Sequence, residues 1–124
     1  MAMGNKKTIL VVDDEPELRN VLAIRLSSGG YEVIESGNGK EAIAALASEP
    51  FDVVLMDVEM PEMDGIEATK AVRAMGIKTP IVAITAHAFG SEVQKCLDMG
   101  MNDYISKPVK PESIATAIEK YLSD

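Results

Sequence analysis

The stretch FDVVLMD, residues 51–57, decides the fold that we predict for this chain. Four consecutive apolar residues in it do not alternate with polar ones, which is typical of a central parallel strand with both faces buried. The strand ends in the carboxylate of Asp57, and open α/β sheets bind their ligands at the carboxyl ends of their strands. Pro61 then stops any regular element, and Asp64-Gly65 is predicted to open a helix. Taken alone, Asp57 is better explained as a residue that only caps a turn, so the case for a functional carboxylate depends on the other strands.

The composition fits a single acidic domain. Apolar residues make up 47% of the 124 residues and charged residues 26%, as in ordinary globular proteins. The formal charge of −8 argues against direct binding to nucleic acids or to anionic membranes. Cys96 is the single cysteine, which fits a reducing cytoplasm. With no apolar run of about 18 residues and no signal peptide, we predict a cytoplasmic domain at 7–124 without a membrane segment, preceded by a flexible leader at 1–6.

Five strand–helix pairs are predicted from apolar runs and from helix start and stop signals. The strands lie at about 8–12, 31–36, 51–57, 80–85 and 102–106. The helices lie at about 16–28, 39–48, 65–74, a segment capped by Ser91 and closed by Gly100, and a last segment that begins at Pro111. This alternation predicts an α/β protein with a parallel sheet.

The polarity of the strands predicts their order in the sheet. The first, third and fourth strands are fully apolar and belong in the middle, whereas the second and fifth are more polar and belong at the edges. With right-handed crossovers the simplest order is 2-1-3-4-5, that of a five-stranded, doubly wound, flavodoxin-like (βα)5 fold. The order reverses between strands 1 and 3, which predicts a ligand-binding crevice there.

Helical periodicity predicts which side chains face the core and which face solvent. The predicted core positions include Leu18, Val21, Leu22 and Leu26 in the first helix, and Ile66, Val72, Met75, Val93, Cys96 and Leu97 in later helices. Ile24 lies about 200° from Leu22 around the first helix and is predicted to face solvent. One interpretation is an isolated exposed apolar side chain, which is common on protein surfaces. The other is an anchor for a partner helix that approaches the crevice.

The residues at the strand ends carry the chemistry of the predicted crevice. They are Asp13, Asp14, Asp57, Thr85 and Lys107. Three neighbouring carboxylates repel one another, so the cluster requires a compensating cation. Mg²⁺ suits such a site because it prefers carboxylate and water oxygens. A metal, a nucleophilic carboxylate, a hydroxyl and a lysine are together the groups that phosphoryl transfer requires.

Four segments resemble the receiver domains of two-component response regulators in kind, order and spacing. They are VVDDEPELR (11–19), DVVLMDVEMPEMDG (52–65), PIVAITAHA (80–88) and DYISKPVKP (103–111). The resemblance implies a signalling domain that takes a phosphoryl group from a histidine kinase or a histidine phosphotransfer domain and then switches its partner-binding surface. The segments VEMPEMDG and ITAHA resemble the receivers of hybrid histidine kinases. The resemblance also leaves room for a homodimer linked to phosphorylation.

The resemblance assigns a role to each strand-end residue. It implies that Asp57 is the phosphoacceptor and that Asp13 and Asp14 help to hold Mg²⁺. The full list of implied roles adds Asp57 and the backbone carbonyl of Glu59 as Mg²⁺ ligands, Thr85 and Lys107 as ligands of the phosphoryl oxygens, Thr85 and Tyr104 as the switch pair, and a cis peptide at Lys107-Pro108. No key position departs from the family pattern.

Two other functions fit the pattern less well. A phosphatase with an aspartyl-phosphate intermediate would need an acid–base aspartate two residues after Asp57, where this chain has Glu59. A flavodoxin-like cofactor binder would need a phosphate loop after the first strand, where Asp13 and Asp14 would repel a phosphate. We therefore expect no enzymatic turnover beyond the domain's own phosphorylation and dephosphorylation. His87 is expected to be an exposed side chain at the mouth of the pocket rather than a ligand.

Overall fold

Five parallel strands form one sheet in residues 6–122, the part of the chain that this computed structural model describes. The strand order is β2-β1-β3-β4-β5, so the predicted doubly wound, flavodoxin-like fold is confirmed. The strands are β1 (Thr8–Val12), β2 (Glu32–Ser36), β3 (Val53–Asp57), β4 (Ile81–Thr85) and β5 (Asp103–Ser106). The helices are α1 (Pro16–Ser28), α2 (Gly39–Ser48), α3 (Gly65–Ala74), α4 (Gly90–Asp98) and α5 (Pro111–Leu122).

The predicted domain boundaries coincide only in part with the described residues. The leader predicted at 1–6 lies outside them except for Lys6, and so do the last two residues of the domain predicted at 7–124. Between these limits, no helix combines the length and the apolar character that crossing a bilayer requires.

The central strands are buried on both faces, as their unbroken apolar sequences predict. Side chains of β1, β3 and β4 alternate between two hydrophobic clusters, one on each face of the sheet. Helices α1 and α5 cover one face, to which they contribute Leu22, Leu26, Ile114, Ile118 and Leu122. Helices α2, α3 and α4 cover the other face with Ala42, Leu46, Ile66, Val72 and Cys96. Because both faces are covered, functional side chains are confined to the ends of the strands.

Three side chains that helical periodicity assigns to the core are exposed instead. The exposed fractions are 52% for Val21, 49% for Met75 and 39% for Leu97. In α1 the small Ala23 is buried in place of Val21, and Met75 lies just beyond the end of α3. Periodicity gives the centre of an apolar stripe, but the neighbouring elements decide how far the stripe is covered.

The start of α4 also differs from the prediction. The helix begins at Gly90 with Phe89 as its N-cap residue, and no side chain caps it. Ser91 therefore lies in the first turn, although serine is a preferred N-cap residue. The preference of one residue is worth only about 1 kcal/mol, so the path of the loop that leaves β4 outweighs it.

Gly65 allows α3 to begin directly against the end of β3. A Cβ atom on Gly65 would lie 2.5 Å from the backbone oxygen of Asp57 and 3.0 Å from the Cα atom of Val58. The Gly65 N–H donates to the Val58 carbonyl at 3.1 Å, and Asp64 and Glu67 form a capping box around the same turn. Because Gly65 has no side chain, α3 can pack directly against the backbone that carries Asp57.

We expect Gly65→Ala to destabilise the protein by about 2 kcal/mol, because the new methyl group has to displace the backbone of β3. Alanine has the higher helix propensity, so a loss of stability in this helical position reports the steric contact. The matched control is Gly29→Ala, whose Cβ would lie no closer than 3.4 Å to its neighbours. Urea unfolding should separate the two variants, and equal stability would contradict the close contact at Gly65.

Candidate functional site

Four strands bring their polar ends together at the carboxyl edge of the sheet. Asp13 follows β1, Asp57 ends β3, Thr85 ends β4, and Lys107 follows β5. Asp13, Asp57 and Thr85 are nearly inaccessible to solvent, with exposed fractions of 0%, 1% and 2%. The structure therefore brings together the strand-end residues that the sequence singled out, at the point where the strand order reverses.

The two carboxylate oxygens of Asp57 have different surroundings. Oδ1 accepts hydrogen bonds from the Lys107 ammonium at 3.1 Å and from the Glu59 backbone N–H at 3.0 Å. Oδ2 is buried and has no hydrogen-bond partner among the described residues. Lys107 and the backbone thus orient the carboxylate and leave one of its oxygens available.

Asp13 is arranged in the same way on the neighbouring strand. Its Oδ1 accepts a hydrogen bond from the Glu15 backbone N–H at 2.8 Å, whereas its buried Oδ2 has no partner among the described residues. Arg19 holds the backbone beneath it, because its guanidinium donates to the Asp13 carbonyl at 2.7 Å and pairs with Glu35 at 3.0 Å. This role of Arg19 is not predicted from the sequence, because the motif VVDDEPELR carries no chemical signal for it.

Burial controls the protonation of this cluster. It raises the pKa of Asp57 to about 7, and the charge of Asp13 adds to the effect while the hydrogen bond from Lys107 opposes it. Burial also raises the pKa of Asp13, against the hydrogen bond from Glu15. For Lys107 burial acts to lower the pKa, but the hydrogen bond and charge of Asp57 outweigh it and the pKa is raised. Burial and their mutual repulsion therefore make it unfavourable for both carboxyls to be ionised at the same time.

The donor set fits a hard divalent cation. Asp13, Asp14 and Asp57 each offer a carboxylate oxygen, and these oxygens lie within 4.8 Å of one another. Two of these three residues, Asp13 and Asp57, each have a buried oxygen without a hydrogen-bond donor among the described residues. Buried carboxylate oxygens without a partner are costly unless a cation or a proton compensates them, and an all-oxygen set is what Mg²⁺ prefers.

The side chain of Glu59 enters the site, which the sequence analysis did not foresee. Its Oε2 accepts the Thr85 hydroxyl at 2.7 Å, and its Oε1 accepts the Ala86 backbone N–H at 3.1 Å and lies 3.5 Å from the Lys107 ammonium. Burial opposes ionisation of Glu59, but the hydrogen bonds from Thr85 and Ala86 and the charge of Lys107 together lower its pKa. The resemblance to receiver domains implies a role only for the backbone carbonyl of Glu59.

The structure also shows where the other residues singled out in the sequence lie. Tyr104 is 43% exposed on β5, and Ile24 is 59% exposed on α1 beside the exposed Val21. His87 is exposed at the mouth of the pocket, as predicted, with its Nδ1 3.6 Å from the Glu59 carboxylate. The Lys107-Pro108 peptide is cis, as predicted.

Comparison with known proteins identifies the family. Residues 9–119 match the model of the response regulator receiver domain. The chain belongs to this family. The sensor histidine kinase RcsC of Salmonella typhi is 41% identical over 113 residues, a match that covers 91% of this chain and 12% of that protein. This receiver domain thus spans about one-eighth of the curated relative.

Solved structures of receiver domains have the same fold. The chemotaxis protein CheY4 of Vibrio cholerae superposes with a TM-score of 0.90 at 32% identity, covering 95% of this chain and 100% of that one. The receiver domain of the sensor histidine kinase PA1611 from Pseudomonas aeruginosa gives a TM-score of 0.87 at 34% identity, covering 97% and 100%. The PA1611 structure contains a magnesium ion coordinated in its active site cleft.

We expect Asp57→Asn to stabilise the metal-free receiver domain by on the order of 2 kcal/mol above pH 7. The pKa of Asp57 is raised from 3.8 to about 7, so the folded state binds the proton more tightly than the unfolded chain. Ionisation of Asp57 therefore removes stability as the pH rises through this window, and asparagine avoids that loss.

Urea unfolding in EDTA at several pH values measures this effect. The advantage of Asp57→Asn should shrink towards pH 5, where Asp57 is protonated in the folded protein. Asp98→Asn, at an exposed position on α4, is the matched control and should change stability by less than about 0.5 kcal/mol. A variant that is no more stable than the parent at pH 8 would contradict the electrostatic cost assigned to Asp57.

Proposed function

We propose that this receiver domain accepts a phosphoryl group from a phosphohistidine onto Asp57. A carboxylate oxygen of Asp57 attacks the phosphorus atom, and the P–N bond breaks with its electron pair remaining on the imidazole nitrogen. The product is an acyl phosphate, which water later hydrolyses. The observation that carries the proposal is the buried Asp57 carboxylate, which Lys107 holds at 3.1 Å through one oxygen while the other has no hydrogen-bond partner within residues 6–122.

The acidic cluster supports a requirement for Mg²⁺. The carboxylates of Asp13, Asp14 and Asp57, with the backbone carbonyl of Glu59, would hold the ion. When bound, the ion neutralises negative charge on the carboxylates and on the incoming phosphoryl oxygens. The protein itself orients Asp57 through Lys107 and the Glu59 N–H, and it keeps the carboxylate away from bulk water.

The remaining site residues would convert phosphorylation into a change of surface. Thr85 and Lys107 lie at the ends of neighbouring strands and would bind the phosphoryl oxygens. Tyr104 lies opposite Ala83 in the β4–β5 register, two residues before the strand position of Thr85. We propose that movement of Thr85 towards the phosphoryl group allows the exposed Tyr104 ring to turn inward, so that the surface of β5 changes.

The donor and the location follow from the same proposal. The match to part of a sensor histidine kinase supports a histidine kinase or a histidine phosphotransfer domain as the partner. We propose the cytoplasm as the location, which suits the single buried thiol, Cys96. The proposed chemistry is stoichiometric, because the receiver domain forms and loses its own phosphoryl group instead of turning over a separate substrate.

Incubation with acetyl phosphate and Mg²⁺ should add one phosphoryl group to the protein, detected by intact mass and lost in mild base as acyl phosphates are. Asp57→Asn should not be labelled, because the amide lacks the nucleophilic oxygen pair. Asp98→Asn provides the matched control and should be labelled like the parent. Full labelling of Asp57→Asn, or labelling that is indifferent to EDTA, would refute the proposed site.

We propose that the exposed apolar residues of α1 orient the phosphodonor. Ile24 and Val21 are 59% and 52% exposed and lie three residues apart, so they are neighbours on one face of the helix. The helix begins beside Asp13, and Val21 and Ile24 follow about 8 to 12 Å further along its axis. A helical bundle that carries the phosphohistidine has to approach Asp57 closely, and an apolar contact on α1 would fix its orientation.

Ile24→Asp should slow transfer from the cognate phosphodonor about tenfold while labelling by acetyl phosphate stays unchanged, since the small donor does not use α1. Stopped-flow or quenched-flow transfer kinetics measure the effect. Met75→Asp is the matched control, because Met75 is 49% exposed at the end of α3, where it precedes the start of β4 at the opposite edge of the sheet. Equal transfer rates in the parent and in Ile24→Asp would eliminate this docking role.

A further inference from the structure

The Glu59 side chain occupies the hydrogen-bond donors that surround Asp57. Its two carboxylate oxygens take the Thr85 hydroxyl at 2.7 Å and the Ala86 backbone N–H at 3.1 Å. The Lys107 ammonium lies 3.5 Å from Oε1 of Glu59 and 3.1 Å from Oδ1 of Asp57, so it bridges the two carboxylates. Glu59 is therefore bound as an anion by three groups from two other strand ends.

Two of these donors, Thr85 and Lys107, are the groups that the proposed function assigns to the phosphoryl oxygens, and the Ala86 N–H is the backbone donor next to Thr85. A hydroxyl group has one hydrogen, and a backbone amide has one, so neither can donate fully to two anions at once. A phosphoryl group on Asp57 would carry its negative charge into the same space as the Glu59 carboxylate, where the two anions repel each other. The Glu59 carboxylate and the phosphoryl group therefore exclude one another from Thr85 and Ala86.

We propose that the Glu59 carboxylate is an intramolecular substitute for the phosphoryl group, which holds Thr85 and Ala86 in the unphosphorylated domain and has to leave when Asp57 is phosphorylated. The inference rests on the proposed function of Asp57. Glu59 then competes with the phosphoryl group for the same donors. Part of the free energy of phosphoryl binding is used to displace the Glu59 carboxylate. This competition lowers both the extent of phosphorylation and the affinity for phosphoryl analogues.

The surroundings of Glu59 allow such a displacement. Its side chain is 34% exposed, and the exposed His87 lies on its solvent side with Nδ1 at 3.6 Å. The carboxylate can therefore rotate towards water and His87 without disturbing the core. In the unphosphorylated domain Glu59 accepts the hydrogen bond of the buried Thr85 hydroxyl.

Binding of beryllofluoride, an analogue of the phosphoryl group, in the presence of Mg²⁺ tests the competition without any chemical step. NMR titration should give an affinity about tenfold higher for Glu59→Gln than for the parent, because the amide is a neutral and weaker acceptor for Thr85. The initial rate of labelling by acetyl phosphate should rise in parallel. Glu62→Gln is the matched control, since Glu62 is exposed three residues away and the substitution removes the same charge; its affinity should stay within about twofold of the parent.

Glu59→Asp separates the contact from the charge. The aspartate keeps the negative charge, but its shorter side chain cannot reach both Thr85 and Ala86, so its affinity should also exceed that of the parent. No gain in Glu59→Gln beyond that of Glu62→Gln, or a gain in Glu59→Gln that is absent in Glu59→Asp, would overturn the competition. If the parent binds beryllofluoride and is labelled on Asp57 while the Glu59 variants behave like it, only this inference fails. If Asp57→Asn is labelled like the parent, the proposed function itself fails.

Discussion

The burial of the Asp57 carboxylate beside a second buried carboxylate, Asp13, is the constraint on which the site depends. Two like charges at the end of a covered sheet are unfavourable, and burial raises the pKa values of both groups. The hydrogen bond and charge of Lys107 offset part of this cost from one side. The remaining electrostatic cost changes when a proton, a cation or a phosphoryl group binds to the site. The stability of the domain therefore depends strongly on which of these groups is bound.

Several features away from the carboxylates hold that unfavourable arrangement in place. The missing side chain of Gly65 lets α3 pack against the backbone of Asp57, and Arg19 fixes the carbonyl of Asp13. The aliphatic strands β1 and β3 supply the burial, since their side chains fill both hydrophobic clusters. The stability of the core thus compensates for polar groups that the site keeps incompletely satisfied.

Glu59 also influences the free energy of phosphorylation at this site. Its carboxylate binds Thr85 and Ala86, so the donors around Asp57 are already engaged in the unphosphorylated domain. The free energy of phosphorylation then depends on the exchange of one anion for another as well as on the new covalent bond. Receiver domains that differ at the position two residues after the phosphoacceptor would differ in this exchange, even with identical residues at Asp13, Thr85 and Lys107.

The sequence alone determined the order of the strands and the identity of the residues at their ends. Unbroken apolar runs mark buried central strands, and the carboxyl ends of parallel strands meet at one edge, so the cluster around Asp57 follows from local patterns. Only the tertiary structure decided which residues at the border of an apolar helix stripe are buried, as at Val21 and Ala23. It also decided where the Glu59 side chain lies. Glu59 and Thr85 are 26 residues apart, and a side chain settles among donors whose positions exist only once the neighbouring strands have paired.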